Sequence, residues 1–118
     1  MIDIVHKKCV PCEGGIDPLT SEEAATYFAV LEGWEMREVK EISKGYVFKD
    51  FAEALRFINE VGAIAEAEGH HPDILLSGWN KVRLTNYTHA IGGLHLNDFV
   101  LASKIDAMCK SRFKISTP

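Results

Sequence analysis

Five histidines stand among 118 residues, and three of them occupy positions suited to moving protons. His70 and His71 are adjacent, just past a helical stretch and just before Pro72. Pro72 restricts the backbone before it, so His71 is held stiffly at an element boundary, where catalytic groups on rigid scaffolds tend to sit. His89 lies at the far end of a later strand-like segment, and Asp98 falls in the first turn of the helix that follows. An unperturbed imidazole titrates at about 6.5, so a group of two or three can both give and take protons near neutrality. An aspartate beside one ring would fix its tautomer and favour its charged form. Taken singly these residues have plainer readings. An adjacent histidine pair is often a solvated helix end, a strand-end histidine is usually structural, and Asp98 alone is a first-turn acid favoured by the helix dipole.

Other chemistries fit less well. Three histidines with Asp98 or Glu66 could supply a catalytic zinc set, but adjacent residues in extended backbone point to opposite sides. No His-Glu-x-x-His or His-x-His pattern is present. Cys9, Cys12 and Cys109 lie outside the histidine segment, and Ser77 has no nucleophile elbow around it. Gly92-Gly93 has no phosphate-loop context. Cys9-x-x-Cys12 lacks the second pair a structural zinc site needs and reads as an exposed, reduced pair in an N-terminal arm. Cys109 reads as a packing residue.

The elements that must position the histidines follow from pattern. Residues 1–18 read as an irregular arm broken by Pro11, Gly14, Gly15 and Pro18, and residues 19–118 as one domain. Thr20 and Glu23 form a capping box, opening a helix with Ala24, Tyr27, Phe28 and Leu31 on one face and Gly33 at its end. Trp34 to Phe48 reads as a hairpin turning at Ser43-Lys44-Gly45. Asp50 caps a longer helix whose apolar stripe is Phe51, Ala54, Leu55, Ile58, Val61, Gly62 and Ala65, ending near Gly69. Ile74-Leu75-Leu76 and Asn80 to His89 read as strands, the latter with Val82 and Leu84 on one face and Arg83, Thr85, Tyr87 and His89 on the other. A last helix opens at Asn97 or Asp98 and buries Phe99, Leu101, Ala102, Ile105 and Met108. The expected fold is α+β in the order α-β-β-α-β-β-α, a four-stranded antiparallel sheet with three helices on one face. An open sheet edge would favour self-association.

Bulk properties narrow the partners. The net charge of −4 argues against a nucleic-acid binder and against an anionic membrane surface. No apolar run approaches the ~20 residues that span a bilayer, and the start lacks the apolar core of a secretion signal. A cytoplasmic protein is expected.

The segment from Glu66 to Asp98 resembles the signature of the pterin-4a-carbinolamine dehydratases. Glu66, His70-His71-Pro72, Trp79, His89 and Asp98 stand where that family has an acid, His-His-Pro, an aromatic, a histidine and an aspartate. Val61 to Gly69, Asn80-Lys81-Val82 and Gly93 to Phe99 are similar too, and the likeness runs from about Leu19 to Lys110. The resemblance implies the four-stranded fold and a dimer or a tetramer. It implies dehydration of 4a-hydroxytetrahydrobiopterin to quinonoid dihydropterin, which recycles the cofactor of aromatic amino-acid hydroxylases. By carry-over His70 and His89 transfer protons, and His71 holds the pterin and shares in acid catalysis. Asp98 orients and charges His89, and Glu66 supports the pair. Pro72 and Trp79 complete the substrate-binding set, Trp79 as a wall. No metal or organic cofactor is implied. The N-terminal Cys9-x-x-Cys12 resembles arms of bacterial members associated with phenylalanine hydroxylase. Two departures stand out: Asp73 to Trp79 lacks the aromatic that animal members carry soon after His-His-Pro, and one extra residue precedes Asn80. His95 has no catalytic counterpart in animal members and reads as surface. The family also suggests two alternatives, a non-catalytic dimerisation cofactor of a transcription factor and a pterin-handling protein beside molybdopterin enzymes.

Overall fold

The computed structural model describes residues 3–9 and 17–113. Helix α1 (Ser21–Phe28) opens with the expected capping box, Thr20 accepting from the Glu23 amide and Glu23 from the Thr20 amide. It ends sooner than expected. Tighter turns at Val30 and Leu31 unwind it well before Gly33, which takes a left-handed φ of 76° in the link that follows. Strands β1 (Glu35–Arg37) and β2 (Glu41–Val47) pair antiparallel. Their turn lies at Glu38 and Val39, both with positive φ, and not at Ser43-Lys44-Gly45. The latter residues belong to β2 because Ile42 and Tyr46 alternate into the core on either side of them.

Helix α2 (Phe51–Glu68) is capped by Asp50, whose carboxylate accepts from the Glu53 amide. Its inward face is rotated from the expected stripe: Ala54, Phe57, Val61 and Ala65 are buried, whereas Phe51 and Leu55 are exposed. Phe57 takes the central place because its ring packs against both Tyr46 and Phe48. Strand β3 (Asp73–Ser77) pairs with β4 (Lys81–Asn86), and β4 pairs also with β2, giving the sheet order β1-β2-β4-β3. Strand β4 is shorter than expected at both ends. Asn86 buries its amide against the Asp98 carbonyl, which turns the chain before it reaches His89. A single 3₁₀ turn (His89–Ile91) leads to α3 (Leu96–Arg112), which buries Phe99, Val100, Leu101, Ala102, Ile105 and Cys109, with Met108 only partly covered. Val82 and Leu84 face the helices as expected, and the whole is an α+β fold with three helices and a four-stranded antiparallel sheet.

The described arm residues 3–9 contain neither helix nor strand, yet they are docked. Ile4 is buried, and so is Cys9, contrary to the exposed reading. The Cys9 amide donates to Glu68 at 2.8 Å, and burial, reinforced by that carboxylate, pushes its thiol up to about 12. Cys12 lies outside the described residues. Among the described residues no helix is long and apolar enough to cross a membrane.

Candidate active site

The end of α2, the start of β3 and the connection from β4 to α3 meet at one end of the sheet. There α2 stops at Gly69, whose left-handed φ of 66° would cost a residue with a Cβ about 1–2 kcal/mol. The amides of Gly69 and His70 both donate to the Ala65 carbonyl, closing the helix. After this turn the two histidines part. The His70 side chain turns inward and is only 11% exposed, while that of His71 is 59% exposed. Pro72 then starts the run into β3.

The inward ring meets Asp98. His70 Nε2 lies 2.6 Å from Asp98 Oδ1, and the carboxylate has no exposed surface. A buried carboxylate needs hydrogen-bond donors, and Asp98 has two more. Its Oδ2 accepts from the Thr88 hydroxyl at 2.8 Å and from the His95 amide at 2.9 Å. An ionised carboxylate can only accept, so in this pair His70 Nε2–H is the donor. The expectation that Asp98 orients His89 is therefore corrected: Asp98 holds His70. Geometry decides this, because the left-handed end of α2 aims His70 at the first turn of α3, while His71 turns outward to Glu66.

His71 Nε2 lies 3.2 Å from Glu66 Oε1 on the surface, so Glu66 supports His71. His89 is exposed and opens the 3₁₀ turn, and its ring sits edge-on to Tyr87 at 4.3 Å between centroids. Burial and a hydrogen bond to Asp73 raise the Tyr87 hydroxyl above its usual value. Trp79 stands apart. It forms the tip of the β3–β4 ribbon with a φ of 58°, at the opposite end of both strands from the histidines. Its ring does not wall the histidine site within this chain.

Two residues at the site escaped the sequence reading. Thr88 precedes His89 and is buried. His95, expected on the surface, is half-buried as the N-cap of α3, its Nδ1 accepting from the Asn97 amide. Burial pushes the His95 imidazole below its ordinary value; nearby Asp98 opposes this and His70 adds to it. The spacing His95-x-x-Asp98 is that of a capping box, a signal that was available in the sequence.

Among the described residues no three His, Cys, Asp or Glu side chains gather as ligands for a metal ion. A hollow of about 470 Å³ lies elsewhere, between the arm and α3. Its rim charges are already paired, Lys110 with Glu32 and His6 with Asp3. None of His70, His71, His89 and Asp98 lines it.

Comparison with known proteins identifies the family. The family model described as pterin 4 alpha carbinolamine dehydratase matches residues 17–108. A Rubrobacter xylanophilus protein is 43% identical over 92% of this chain and all of its own length. One from Alkaliphilus metalliredigens is 46% identical over 90% of this chain and 96% of its own. Both are named, provisionally, pterin-4-alpha-carbinolamine dehydratases. A crystal structure described as a transcriptional coactivator/pterin dehydratase from Brucella melitensis superposes with a TM-score of 0.71. It is 30% identical and covers 78% of this chain and 98% of that one. With matches that span nearly the whole length on both sides, this chain belongs to the pterin 4 alpha carbinolamine dehydratase family.

Proposed function

We propose that the protein dehydrates a 4a-hydroxytetrahydropterin to the quinonoid dihydropterin by histidine acid–base catalysis. The observation that carries this reading is the buried Asp98 against His70 Nε2 at 2.6 Å, at the sheet end that also holds His71 and His89. The reaction removes the hydroxyl from C4a and a proton from N5, in net terms one water, and the enzyme is reset when the base releases its proton and the acid regains one. With Nε2 engaged by Asp98, His70 presents Nδ1 as the base for the N5 proton. The positive charge that then develops on the ring is stabilised by the carboxylate behind it. His89, exposed and next in the chain after Thr88, protonates the departing hydroxyl. His71, steadied by Glu66 and Pro72, holds the pterin from the solvent side. Both tasks are proton movements and call for no metal.

The product is the form a reductase returns to the tetrahydropterin pool, so recycling the cofactor of an aromatic amino-acid hydroxylase is the role we assign. Among the described residues strand β3 pairs on one side only and leaves Ile74 and Leu75 partly exposed. A free strand edge of that kind suits association into a dimer or a larger assembly.

The test is dehydration of a 4a-hydroxytetrahydropterin by the purified protein treated with chelator. We expect acceleration over the spontaneous rate, and a loss of roughly 10²- to 10⁴-fold in His70→Ala and in His89→Ala. A wild-type protein that leaves the spontaneous rate unchanged would overturn the reading.

A further inference from the structure

We propose that Thr88 is a positioning residue, whose hydroxyl sets the aim of the Asp98 carboxylate and through it the His70 ring. This rests on the dehydratase reading above and adds a residue to its machinery. A carboxylate turns readily about its Cβ–Cγ bond, so where Oδ1 points depends on what holds Oδ2. Two donors hold it. The His95 amide is part of the reciprocal cap at the start of α3 and belongs to the helix. The Thr88 hydroxyl, at 2.8 Å, comes from outside the helix and fixes the carboxylate plane against the rest of the fold.

Thr88 is itself anchored. Its amide donates to the Gly93 carbonyl at 3.1 Å, and the Gly93 amide returns a bond at 3.4 Å. A Cβ on Gly93 would come within 2.9 Å of Pro18 Cβ, so that bridge is packed directly against the segment entering α1. The Thr88 carbonyl also accepts from the Ile91 amide, starting the turn that displays His89. The residue joins the two proton-transfer histidines, one by its side chain and the other by its backbone.

Removing the hydroxyl leaves Oδ2 with one donor. The carboxylate is then free to swing, and its charged form loses a stabilising hydrogen bond in a site closed to water. His70 Nε2–H loses its fixed acceptor.

The experiment compares Thr88→Val, which replaces the hydroxyl by a methyl of similar size, with Thr88→Ser, which keeps the hydroxyl. Steady-state kinetics and the His70 ring N–H proton, observed by NMR on ¹⁵N-labelled protein, are read on each. Thr88→Val should lower kcat by about 10- to 100-fold, the usual effect of losing an outer hydrogen-bond partner, with KM changed less than about threefold. Its His70 Nε2–H signal should broaden through exchange with solvent. Thr88→Ser should keep both kcat and the signal. Should Thr88→Val fail to fold, Thr88→Ala is read in the same way. The proposal is overturned if the variant without the hydroxyl keeps the His70 signal and the rate. It is overturned equally if Thr88→Ser loses both, since the methyl would then be what matters. If wild type shows no dehydratase activity, the NMR comparison still decides the role of Thr88, and the two failures are told apart.

Discussion

Two imidazole–carboxylate pairs begin at neighbouring residues and differ in almost everything that gives such a pair weight. His70 and Asp98 meet at 2.6 Å with side chains 11% and 0% exposed, while His71 and Glu66 meet at 3.2 Å at 59% and 81%. In water the second pair competes with solvent and salt, and the attraction is slight. Inside, the first has no water to fall back on, so each member determines what the other does. The lesson is that a His-His dipeptide is not two copies of one group. The turn at Gly69 makes one ring part of the interior and leaves its neighbour at the surface.

This contrast can be broken most decisively at Asp98. Asp98→Asn keeps the shape and removes the charge, and we expect dehydratase activity to fall by about 10²- to 10⁴-fold, as for loss of His70 itself. Stopped-flow measurement of the dehydration rate checks this, and retention of most of the rate would mean that the buried pair is only structural.

A smaller effect concerns acid stability. Burial holds the folded His95 imidazole below its ordinary value, so on acidification the unfolded chain binds that proton first. Stability from this group is present above the ordinary imidazole range and is lost as pH falls through it towards the lower folded value. His95→Ser keeps a capping side chain but cannot titrate. Its thermal midpoint should fall less than that of wild type between pH 7.5 and pH 5, opening a gap of a few degrees. Parallel curves would show that His95, although packed beside Asp98 and His70, plays no part. The smallest effect is expected at the exposed pair, where Glu66→Gln should leave the rate within about threefold. A loss as large as that of Asp98→Asn would erase the distinction between the pairs.

Much of this site was legible in the sequence, for identifiable reasons. Asp50 and Gly69 delimit α2 by capping and by backbone torsion, both local properties, so the position of His70-His71-Pro72 followed from them. The partner of Asp98 did not. Which of two histidines reaches it depends on how the end of α2 is aimed at α3, a relation between segments 28 residues apart. Ser43-Lys44-Gly45 has the composition of a turn, but the pairing of β2 with β4, which sets Gly45 opposite Arg83, holds it extended. Phe57 was missed because the apolar stripe drawn through Phe51 and Leu55 is as regular as the buried one. The rings of Tyr46, Phe48 and Phe113, which pack against Phe57, decide between them.

Gly93 is a glycine for want of room, not for torsion, since the obstacle is the Pro18 ring 2.9 Å from where its Cβ would stand. Spatial exclusion of this kind is mutual. A chain that trimmed residue 18 to a smaller side chain would open space for alanine at 93, so whether position 93 can carry a side chain is decided by a residue remote from it in the primary sequence. A side chain introduced at 93 would press on the bridge to Thr88, the strut behind the Asp98 carboxylate, and so reach the buried His70 pair.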